Sequence, residues 1–286
     1  MKLLVTGGAG RLGTELIRIA SARGHSTRVF DLPQVPWDAV EEIPGVEVFK
    51  GDITDRDVVA EACRGVDGVF HLAALLPPKS EADRVLTMRV NVEGTRYVVE
   101  ALEDRPETPL IFASSISTYG PTADERLPIS EDHPQVAHDN YSESKIEAER
   151  LIRASGVSHE VLRIAPVAVA DLVELPDVIP YRADQRVEFV YVGDAARALY
   201  SAFESREARG GVFNIAGGES WQMTGAEYIE GFYEALGVEV EPRFSEEHTA
   251  VDWYDTSRGR LLGYQRVTFI VFVEKLKAVA EQLGLI

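Results

Sequence analysis

The chain has 286 residues, 45% of them hydrophobic and 27% charged, which suits one large folded domain or two closely packed ones and excludes a mainly disordered chain. Its 29 Lys and Arg residues are outnumbered by 47 Asp and Glu residues, so the net charge is −18. Because such a charge repels phosphate backbones and anionic membrane surfaces, we expect no nucleic-acid partner and no membrane association.

Cysteine, histidine and hydropathy patterns narrow the class of protein further. Cys63 is the only cysteine, which excludes an intramolecular disulfide or a site of several thiolates and fits a reducing compartment. The six histidines show no pair spaced along one helix face, so we expect no metal site. The strand-like run Lys2 to Thr6 leaves no room for a signal peptide, and the apolar run Phe269 to Val273 is too short to cross a bilayer. We therefore expect a cytoplasmic protein.

Short runs rich in β-branched residues alternate with longer stretches of helical apolar spacing along roughly the first 200 residues. The predicted strands are 2–6, 27–30, 46–50, 68–71, 110–113 and 160–164, and the predicted helices are 11–22, 55–62, 82–102 and 141–154. Polar, proline-containing segments at 31–44 and 121–138 are predicted loops. This repeated β-α-β order predicts a parallel sheet with helices on both faces.

The regular alternation ends after Pro166. Further along the chain, the sequence predicts strands at 187–191 and 212–215 and helices at 194–204, 224–236 and 268–283. We therefore predict a doubly wound α/β fold of Rossmann type with a small, partly interleaved C-terminal substrate lobe. The cofactor-binding domain is assigned to residues 1–165. The substrate-binding part, with elements that return to the main sheet, is assigned to residues 166–286.

A glycine motif follows the first predicted strand directly. Gly7, Gly10 and Gly13 have the spacing G-x-x-G-x-x-G and open the first predicted helix, with Arg11 and Leu12 between the last two glycines. Glycine permits the tight turn, lets backbone N–H groups approach a pyrophosphate and allows close packing of helix on strand. Because the motif lies in a strand–turn–helix context, it predicts a dinucleotide site rather than an ordinary glycine-rich turn.

Acidic residues at the ends of the next two strands indicate which dinucleotide binds. Asp31 ends the second predicted strand, near the spacing at which a carboxylate accepts hydrogen bonds from the adenosine ribose hydroxyls. Its charge would repel the additional phosphate of NADP, so we expect NAD; the alternative role of Asp31 is to start the loop before Pro33. After the third strand, Asp52 and Ile53 are predicted to meet the edge and face of the adenine.

Tyr141 and Lys145 are four residues apart, which places a phenol and an ammonium on one face of a helix. A free phenol has a pKa of about 10, and an ammonium about 4 to 5 Å away would supply on the order of 3 to 4 kcal/mol toward stabilising its anion. Ser115 follows the fifth strand at the carboxyl edge of the sheet, where its hydroxyl can hold a substrate hydroxyl or carbonyl against Tyr141. These residues predict proton transfer at a substrate oxygen.

Together with further motifs, these residues resemble the extended short-chain dehydrogenase/reductases, the family of NAD-dependent sugar epimerases, dehydratases and dehydrogenases. Besides the glycine motif, Asp31 and the Tyr141–Lys145 pair, matching segments follow in the same order along nearly the whole chain: 71–74 (HLAA), 91–95 (NVEGT), 114–120 (SSISTYG), 162–163 (LR), 190–194 (VYVGD) and 212–215 (VFNI). The resemblance implies NAD as cofactor and hydride transfer at a hydroxyl-bearing carbon.

The resemblance also implies roles for individual residues. Tyr141 would be the catalytic acid/base, Lys145 its pKa modulator and a ligand of the nicotinamide ribose, and Ser115 the substrate-orienting hydroxyl. Tyr119 and Pro166 would border the substrate. The cofactor groove would be lined by Gly7, Gly10, Arg11, Leu12, Gly13, Asp31, Asp52, Ile53, Leu72, Ala73, Ala74, Asn91, Tyr141, Lys145 and Ile164. Helices equivalent to 82–102 and 141–154 pair across a dimer in this family, so we expect a homodimer.

Two departures from the family pattern bear on the substrate. Residues 116–118 (IST) follow Ser115 where sugar 4,6-dehydratases have an Asp-Glu pair, so we do not expect that elimination. Pro166 stands where nucleotide-sugar epimerases typically have an Asn that holds substrate phosphates, and the segment 166–187 is short. We therefore favour a free sugar, sugar acid or similarly compact substrate. The alternatives left open are a nucleotide-sugar 4-epimerase of the UDP-hexose type and a non-catalytic NAD-sensing protein.

Overall fold

A computed structural model of the protein describes residues 1–171 and 176–286. Within them, the strands are β1 Lys2–Thr6, β2 Ser26–Asp31, β3 Val46–Lys50, β4 Gly68–His71, β5 Leu110–Ser115, β6 His159–Ile164, β7 Val167–Ala168, β8 Arg186–Val187, β9 Val190–Tyr191, β10 Val212–Ile215 and β11 Met223–Thr224. The first six strands match the predicted ones closely, since their bounds differ from the predicted bounds by two residues at most.

The helices in the same described ranges are α1 Arg11–Ala22, α2 Asp38–Glu41, α3 Arg56–Ala62, α4 Lys79–Ala82, α5 Arg84–Met88, α6 Gly94–Glu100, α7 Asn140–Ala154, α8 Val192–Glu204, α9 Gly225–Leu236 and α10 Phe269–Gln282. A π-helical turn spans Arg89–Glu93, and 3₁₀ turns span Ile116–Tyr119, Arg206–Ala208, Glu219–Trp221 and Arg258–Leu262. None of these helices is long and apolar enough to cross a membrane.

Seven of the described strands form one parallel sheet in the order β10-β6-β5-β4-β1-β2-β3. Successive strands run outward in one direction from β1 to β3 and in the other from β4 to β10, so the order reverses where β1 pairs with β4. In open α/β sheets, ligands bind at this switch point, beyond the carboxyl ends of the strands. The predicted doubly wound, Rossmann-type fold is confirmed, and β10 is an element that returns to the main sheet.

Apolar side chains fill a separate core on each face of the sheet. Helices α1 and α8 pack together over one face, where Leu16, Ile17 and Leu199 are fully buried. Helices α3, α6 and α7 cover the other face, around residues such as Val98. A third cluster in the C-terminal part encloses Trp221 between α9 and α10. The carboxyl edge of the sheet, where the site is expected, is therefore supported by helices on both sides.

The single helix predicted over 82–102 is wrong. Asp83 has an extended backbone and ends α4, and its side chain caps α5 by accepting a hydrogen bond from the Leu86 N–H at 3.0 Å. The π turn then adds one residue to a helical turn without interrupting the apolar spacing on which the prediction depended. This turn contains Asn91, one of the predicted cofactor residues.

The strand predicted over 187–191 is two separate short strands. Strand β8 pairs with β11, whereas β9 pairs with β7, and Glu188 lies between them. The Glu188 carboxylate is fully buried and accepts hydrogen bonds from the backbone N–H groups of Gly218 (2.8 Å) and Tyr254 (2.9 Å). The hydrogen bonds of the Glu188 carboxylate thus replace the backbone hydrogen bonds that a continuous strand over 187–191 would make. The next helix, α8, begins at Val192, two residues before its predicted start.

Candidate active site

Glycine is required at Gly7, in the loop between β1 and α1, and at Gly13, in the first turn of α1. Gly7 has φ = +67°, and a Cβ there would lie 2.8 Å from the backbone nitrogen of Ala73. A Cβ on Gly13 would lie 2.5 Å from the Gly8 carbonyl oxygen. A Cβ on Gly10, by contrast, would meet nothing in the described residues closer than the Gly7 oxygen at 3.4 Å. Among the described residues, the backbone at Gly10 is therefore open to the approach of a ligand.

The N-terminus of α1 follows this loop and has the properties of an anion site. Gly10 supplies no side-chain cap, and the first turn of α1 contains no acidic residue. Backbone N–H groups in the first turn of a helix have no acceptor within the helix, and the helix dipole adds partial positive charge. Arg11, the first residue of α1, is exposed and pairs with Asp171 at 3.5 Å. This arrangement fits the pyrophosphate of a dinucleotide.

The side chain of Asp31 is fixed between the end of β2 and the glycine loop. One carboxylate oxygen accepts a hydrogen bond from the Ala9 N–H at 3.1 Å, and the other accepts one from the Leu32 N–H at 2.8 Å. Burial raises the pKa of Asp31 above its ordinary value, while these two hydrogen bonds oppose the shift. Each oxygen keeps a lone pair for a further donor, which suits a ribose with two adjacent hydroxyl groups.

The loop after β4 lies directly against the glycine loop. The Leu72 N–H donates to the Thr6 carbonyl oxygen at 3.1 Å, and the Ala73 N–H donates to the Thr6 hydroxyl at 3.2 Å. Leu72, Ala73 and Ala74 are all partly exposed. Their backbone is thus held next to Gly7, at the β1–β4 switch point, with side chains that a bound dinucleotide can contact.

The two residues predicted to meet the adenine follow β3. Ile53 is almost fully buried, and its side chain fills the space beside Gly94. Asp52 is exposed, and its Oδ1 accepts hydrogen bonds from the N–H and the hydroxyl of Thr54, both at 2.9 Å. This local turn fixes the Asp52 carboxylate at the carboxyl end of β3, and the contact with adenine stays a prediction.

Asn91 does not offer its amide to the groove. Its side chain is 2% exposed; Oδ1 accepts a hydrogen bond from the Leu75 N–H at 2.6 Å, and Nδ2 donates to the Leu75 carbonyl oxygen (3.1 Å) and the Ser144 hydroxyl (2.9 Å). Both amide hydrogens are therefore used inside the protein. The expectation that Asn91 lines the cofactor groove is corrected: Asn91 ties the loop after β4 to helix α7.

Tyr141 is the second residue of α7, and the start of this helix is strongly specified. Asp139 accepts a hydrogen bond from the Ser142 N–H at 2.7 Å, while the Ser142 hydroxyl accepts one from the Asp139 N–H at 3.1 Å, which forms a capping box. Ser115 ends β5, and its hydroxyl accepts a hydrogen bond from the Ser117 N–H at 3.1 Å. The same hydroxyl lies close enough to the Tyr141 phenol to lower the pKa of Tyr141. The fold thus brings Ser115 and Tyr141 into contact.

The ionisation of Tyr141 differs from the expectation. Burial raises its pKa to about 12, the hydrogen bond with Ser115 opposes this shift, and the charge of Asp139 adds to it. The Lys145 ammonium lies 5.8 Å from the centre of the Tyr141 ring and does not offset the loss of solvation. The protein alone therefore keeps Tyr141 as a neutral phenol, and further positive charge is needed to make it a base near neutral pH.

Lys145 is buried one turn further along α7. Its ammonium donates a hydrogen bond to the Ala113 carbonyl oxygen at 2.8 Å and lies 4.8 Å from the centre of the Phe112 ring. Burial lowers the pKa of Lys145 to about 8, and the charge of Glu149 opposes this shift. Because an ammonium has three donors, the contact with Ala113 leaves Lys145 able to bind a ribose hydroxyl.

A buried ion pair behind the site was not predicted from the sequence. Glu149, one turn beyond Lys145, accepts hydrogen bonds from Arg163 Nε (3.0 Å) and Nη2 (2.7 Å) and from the Ser114 hydroxyl (2.5 Å). The Glu149 and Arg163 side chains are 1% and 3% exposed. The signal available in the sequence was the i, i+4 spacing of Tyr141, Lys145 and Glu149 along one helix face. The pair fastens α7 to β5 and β6.

Tyr119 belongs to the same buried network. Its side chain is 1% exposed, and its hydroxyl donates to Asn214 Oδ1 and accepts a hydrogen bond from Arg163 Nη1 at 3.1 Å. Burial raises the pKa of Tyr119 to about 12. The expectation that Tyr119 borders the substrate therefore disagrees with the structure, because side chains of β6 and β10 bind its hydroxyl inside the fold.

Ile164 and Pro166 lie at the carboxyl end of β6. Ile164 is paired with Ser115 in the sheet and is 7% exposed. Pro166 is partly exposed, and its carbonyl oxygen accepts a hydrogen bond from the Val190 N–H at 3.0 Å, where β7 begins to pair with β9. Both residues are thus at the same edge of the sheet as Ser115, although the contacts predicted for them remain predictions.

Two arginines of the C-terminal part are neutralised by carboxylates. Arg186 donates to Asp252 through Nε (2.7 Å) and Nη2 (3.0 Å), and the Asp252 side chain is fully buried. Arg258 donates to the Asp132 carboxylate and lies 3.7 Å from Glu131 Oε2. These guanidinium groups already have anionic partners within the chain, so neither is a free anion-binding group.

A Rossmann-type sheet, a glycine loop at its switch point and the Ser115, Tyr141 and Lys145 side chains beyond it define the class of short-chain dehydrogenase/reductases. Residues 3–169, more than half of the chain, match the model of the NAD dependent epimerase/dehydratase family, so the chain belongs to that family. The resemblance to the extended members of the class is confirmed, and NAD is the dinucleotide that the groove fits.

Three curated relatives show how varied the substrates within this class are. The chain is 32% identical over 177 residues to a UDP-glucose 4-epimerase of Lactobacillus helveticus, covering 59% of this chain and 53% of the relative. It is 36% identical to a 3 beta-hydroxysteroid dehydrogenase/Delta 5-->4-isomerase of Mycobacterium tuberculosis (54% and 42% covered) and 32% identical to a D-erythronate dehydrogenase of Cupriavidus necator (59% and 56% covered). The chain thus spans about half the length of the curated relatives it matches.

A solved structure supports the fold over the whole length. The UDP-glucose-4-epimerase of Stenotrophomonas maltophila with bound NAD and formylated UDP-arabinopyranose superposes with a TM-score of 0.86, covering 99% of both chains at 23% sequence identity. At this identity, the likeness establishes the architecture of the C-terminal part as well as that of the NAD-binding part. It does not transfer a substrate.

Proposed function

We propose that this protein is an NAD-dependent oxidoreductase or epimerase that transfers hydride at a hydroxyl-bearing carbon of a sugar or sugar-derived substrate. The observation that carries the proposal is the contact of Ser115 with Tyr141, with Lys145 one turn along the same helix, at the edge of the sheet that carries the dinucleotide groove. A protein that only senses NAD has no need for these three side chains together.

Each of the three side chains has a distinct part in the proposed chemistry. When bound, NAD supplies the hydride acceptor and the positive charge of the oxidised nicotinamide. Tyr141 takes the proton from the substrate hydroxyl, or returns it to the substrate carbonyl oxygen in the reverse direction. Ser115 orients that oxygen by hydrogen bonding, and Lys145 holds its ammonium 5.8 Å from the centre of the Tyr141 ring. Because burial keeps Tyr141 protonated, its proton loss depends on positive charge gathered around it.

The same chemistry serves a dehydrogenase or an epimerase. In a dehydrogenase, the keto product leaves the site. In an epimerase, the keto intermediate rotates within the site and is reduced on its other face. The second candidate, a nucleotide-sugar 4-epimerase of the UDP-hexose type, is favoured by the name of the Lactobacillus helveticus relative. These two outcomes differ in whether NADH accumulates.

We favour a compact substrate, such as a free sugar or a sugar acid, over a nucleotide sugar. Pro166 provides no side-chain donor for a diphosphate, and Arg186 and Arg258 are bound by carboxylates. The D-erythronate dehydrogenase among the relatives is named for a sugar acid of small size. A diphosphate bound by Arg186 would have to compete with Asp252, which is fully buried.

Isothermal titration with UDP, dTDP and GDP in the presence of NAD tests the proposal that the substrate is compact rather than a nucleotide sugar. We expect no binding of any of the three nucleotides at sub-millimolar concentrations, because Pro166 supplies no donor and Arg186 and Arg258 already have carboxylate partners. Micromolar affinity for one of them would instead establish the nucleotide-sugar epimerase as the better proposal. Titration of NAD alone serves as the positive control for a folded groove.

Replacing Asp31 by Asn is expected to remove the preference for NAD over NADP. The carboxylate at the end of β2 accepts two backbone hydrogen bonds and would meet the ribose hydroxyls, so its charge opposes an additional phosphate. We expect NAD affinity to fall about tenfold and NADP affinity to rise by a similar factor. Asp57→Asn, at an exposed acid on α3 that is not among the predicted site residues, is the matched control. Equal binding of NAD and NADP by the wild-type protein would remove the role assigned to Asp31.

The homodimer is part of the proposal. Val85 and Leu86 on α5 are 77% and 43% exposed, and Arg84 joins this helix to α7 through an ion pair with Glu143 at 2.6 Å. The two helices thus present one surface with apolar residues that a second copy would cover.

A cytoplasmic location belongs to the same proposal, because the lone cysteine, Cys63, is buried with its pKa raised to about 12 and is suited to remaining a thiol.

A further inference from the structure

The first turn of α7 is held by a residue that lies 60 positions earlier in the chain. Glu81, at the end of α4, accepts hydrogen bonds from the Asn140 N–H (Oε2, 2.9 Å) and from the N–H of Tyr141 itself (Oε1, 3.2 Å). The next N–H, that of Ser142, is bound by Asp139. Two carboxylates thus satisfy the N–H groups that begin the helix, and Glu81 binds the backbone of the proposed acid/base.

The Glu81 carboxylate is itself fixed by a neighbouring side chain. The hydroxyl of Ser80, which is fully buried, donates to Glu81 Oε1 at 2.8 Å. The Asn140 side chain donates in the opposite direction, to the carbonyl oxygen of Ser80 at 3.2 Å and to that of Glu81 at 3.4 Å. The contact between α4 and α7 is therefore reciprocal, with donors and acceptors on both segments, although the Glu81 side chain is exposed.

The segment that carries Glu81 continues the loop after β4, whose first residues lie beside the glycine loop. Asn91 fastens this loop to α7 a second time, through Leu75 and Ser144. The position of Tyr141 relative to the cofactor groove is consequently set at two points, Asn91 within the protein and Glu81 at its surface. A displacement of about 1 Å between reacting groups can cost about 100-fold in rate, so this connection bears on catalysis.

We propose that Glu81 is a positioning residue for Tyr141: by binding the backbone N–H of Tyr141, it fixes the phenol relative to Ser115 and the cofactor groove. The proposal rests on the proposed function, since it assigns to Glu81 an effect on the step that Tyr141 performs. Glu81 does not touch the substrate in this role. It acts through the backbone of α7, and it is an exposed side chain that can be changed without opening the core.

The test compares Glu81→Ala and Glu81→Gln with Glu143→Ala. Glu143 is a matched control because it is also an acid in the first turn of α7, but it pairs with Arg84 and binds no helix N–H. With the substrate found for the wild-type protein, we expect Glu81→Ala to lower kcat about tenfold with little change in KM. Glu81→Gln keeps an acceptor oxygen and should recover most of the loss. Glu143→Ala should behave as wild type.

Hydrogen–deuterium exchange gives a readout that does not depend on turnover. In Glu81→Ala, a peptide covering residues 139–145 should exchange faster than in the wild type, while Glu143→Ala leaves it unchanged, because only Glu81 binds the Asn140 and Tyr141 amides. Unchanged exchange in Glu81→Ala, or an equal loss of kcat in Glu143→Ala, would overturn the proposal. A loss in Glu81→Ala that Glu81→Gln does not recover would also overturn it.

The two proposals fail in different ways in the same assay. If Tyr141→Phe is inactive and Glu81→Ala has the kcat of the wild type, the role of Glu81 is wrong and the proposed function stands. If Tyr141→Phe retains wild-type turnover, the proposed function is wrong, and the role of Glu81 in catalysis falls with it.

Discussion

Tyr141→Phe is expected to lower turnover about 1000-fold, equivalent to about 4 kcal/mol of transition-state stabilisation, while NAD binding stays nearly unchanged. The variant keeps the ring and the helix but loses the hydroxyl that contacts Ser115 and carries the transferable proton. The measurement is kcat/KM with the identified substrate, together with NAD affinity by titration. The thermal unfolding midpoint should change little, because the variant removes a single hydroxyl and keeps the ring and the helix.

Tyr97→Phe is a matched control for this experiment. Tyr97 lies on α6 and is also partly exposed, but it is not among the predicted site residues. Its replacement removes an equivalent hydroxyl and should leave turnover at the wild-type level. Wild-type turnover in Tyr141→Phe would show that a group other than the Tyr141 hydroxyl transfers the proton. The role assigned to Tyr141 would then be wrong.

Lys145→Met is expected to reduce both turnover and NAD affinity, the former at least about 100-fold and the latter about tenfold or more. In the proposed function the ammonium binds the nicotinamide ribose and supports the phenolate of Tyr141, whereas methionine has similar length and no charge. Because burial lowers the pKa of Lys145 to about 8, the charged form is costly to keep inside the protein. Losing this charge therefore destabilises the fold little.

Thermal unfolding and NAD titration separate the two effects of Lys145→Met. A midpoint close to that of the wild type, together with weaker NAD binding, assigns the loss to the site. The Ala113 carbonyl oxygen, which accepts the Lys145 hydrogen bond at 2.8 Å, is left without this donor, and a small decrease in midpoint is the expected cost. Unchanged NAD affinity in this variant would contradict the ribose contact assigned to Lys145.

Local signals were sufficient to predict most of the sheet and the start of helix α7. Strands β1, β3 and β4 have their predicted bounds, because short apolar runs end at glycine or polar residues. Helix α7 begins at Asn140, one residue before its predicted start, since Asp139 and Ser142 form a capping box within four residues. The glycine loop was equally predictable, because its close packing depends on Gly7 within the loop and on Gly13 in the helix that follows directly.

The direction in which a side chain points could not be predicted from the sequence. Asn91 and Tyr119 stand in motifs typical of the family, yet both turn toward buried partners. The pKa of Tyr141 was expected to fall because of Lys145, but it rises, since the loss of solvation is a property of the assembled fold. Glu81 went unnoticed for the same reason: its partners, Asn140 and Tyr141, are about 60 residues away in the chain.

The central claim is that this protein binds NAD and transfers hydride to it from a substrate. Native mass spectrometry of the purified wild-type protein, followed by incubation with NAD and a panel of sugars, sugar acids and nucleotide sugars, tests it most directly. We predict a bound NAD mass, with NADH formation for a dehydrogenase or retained NAD and an epimerised product for an epimerase. A protein that takes up no NAD, or that converts no member of the panel while binding NAD, would contradict the account.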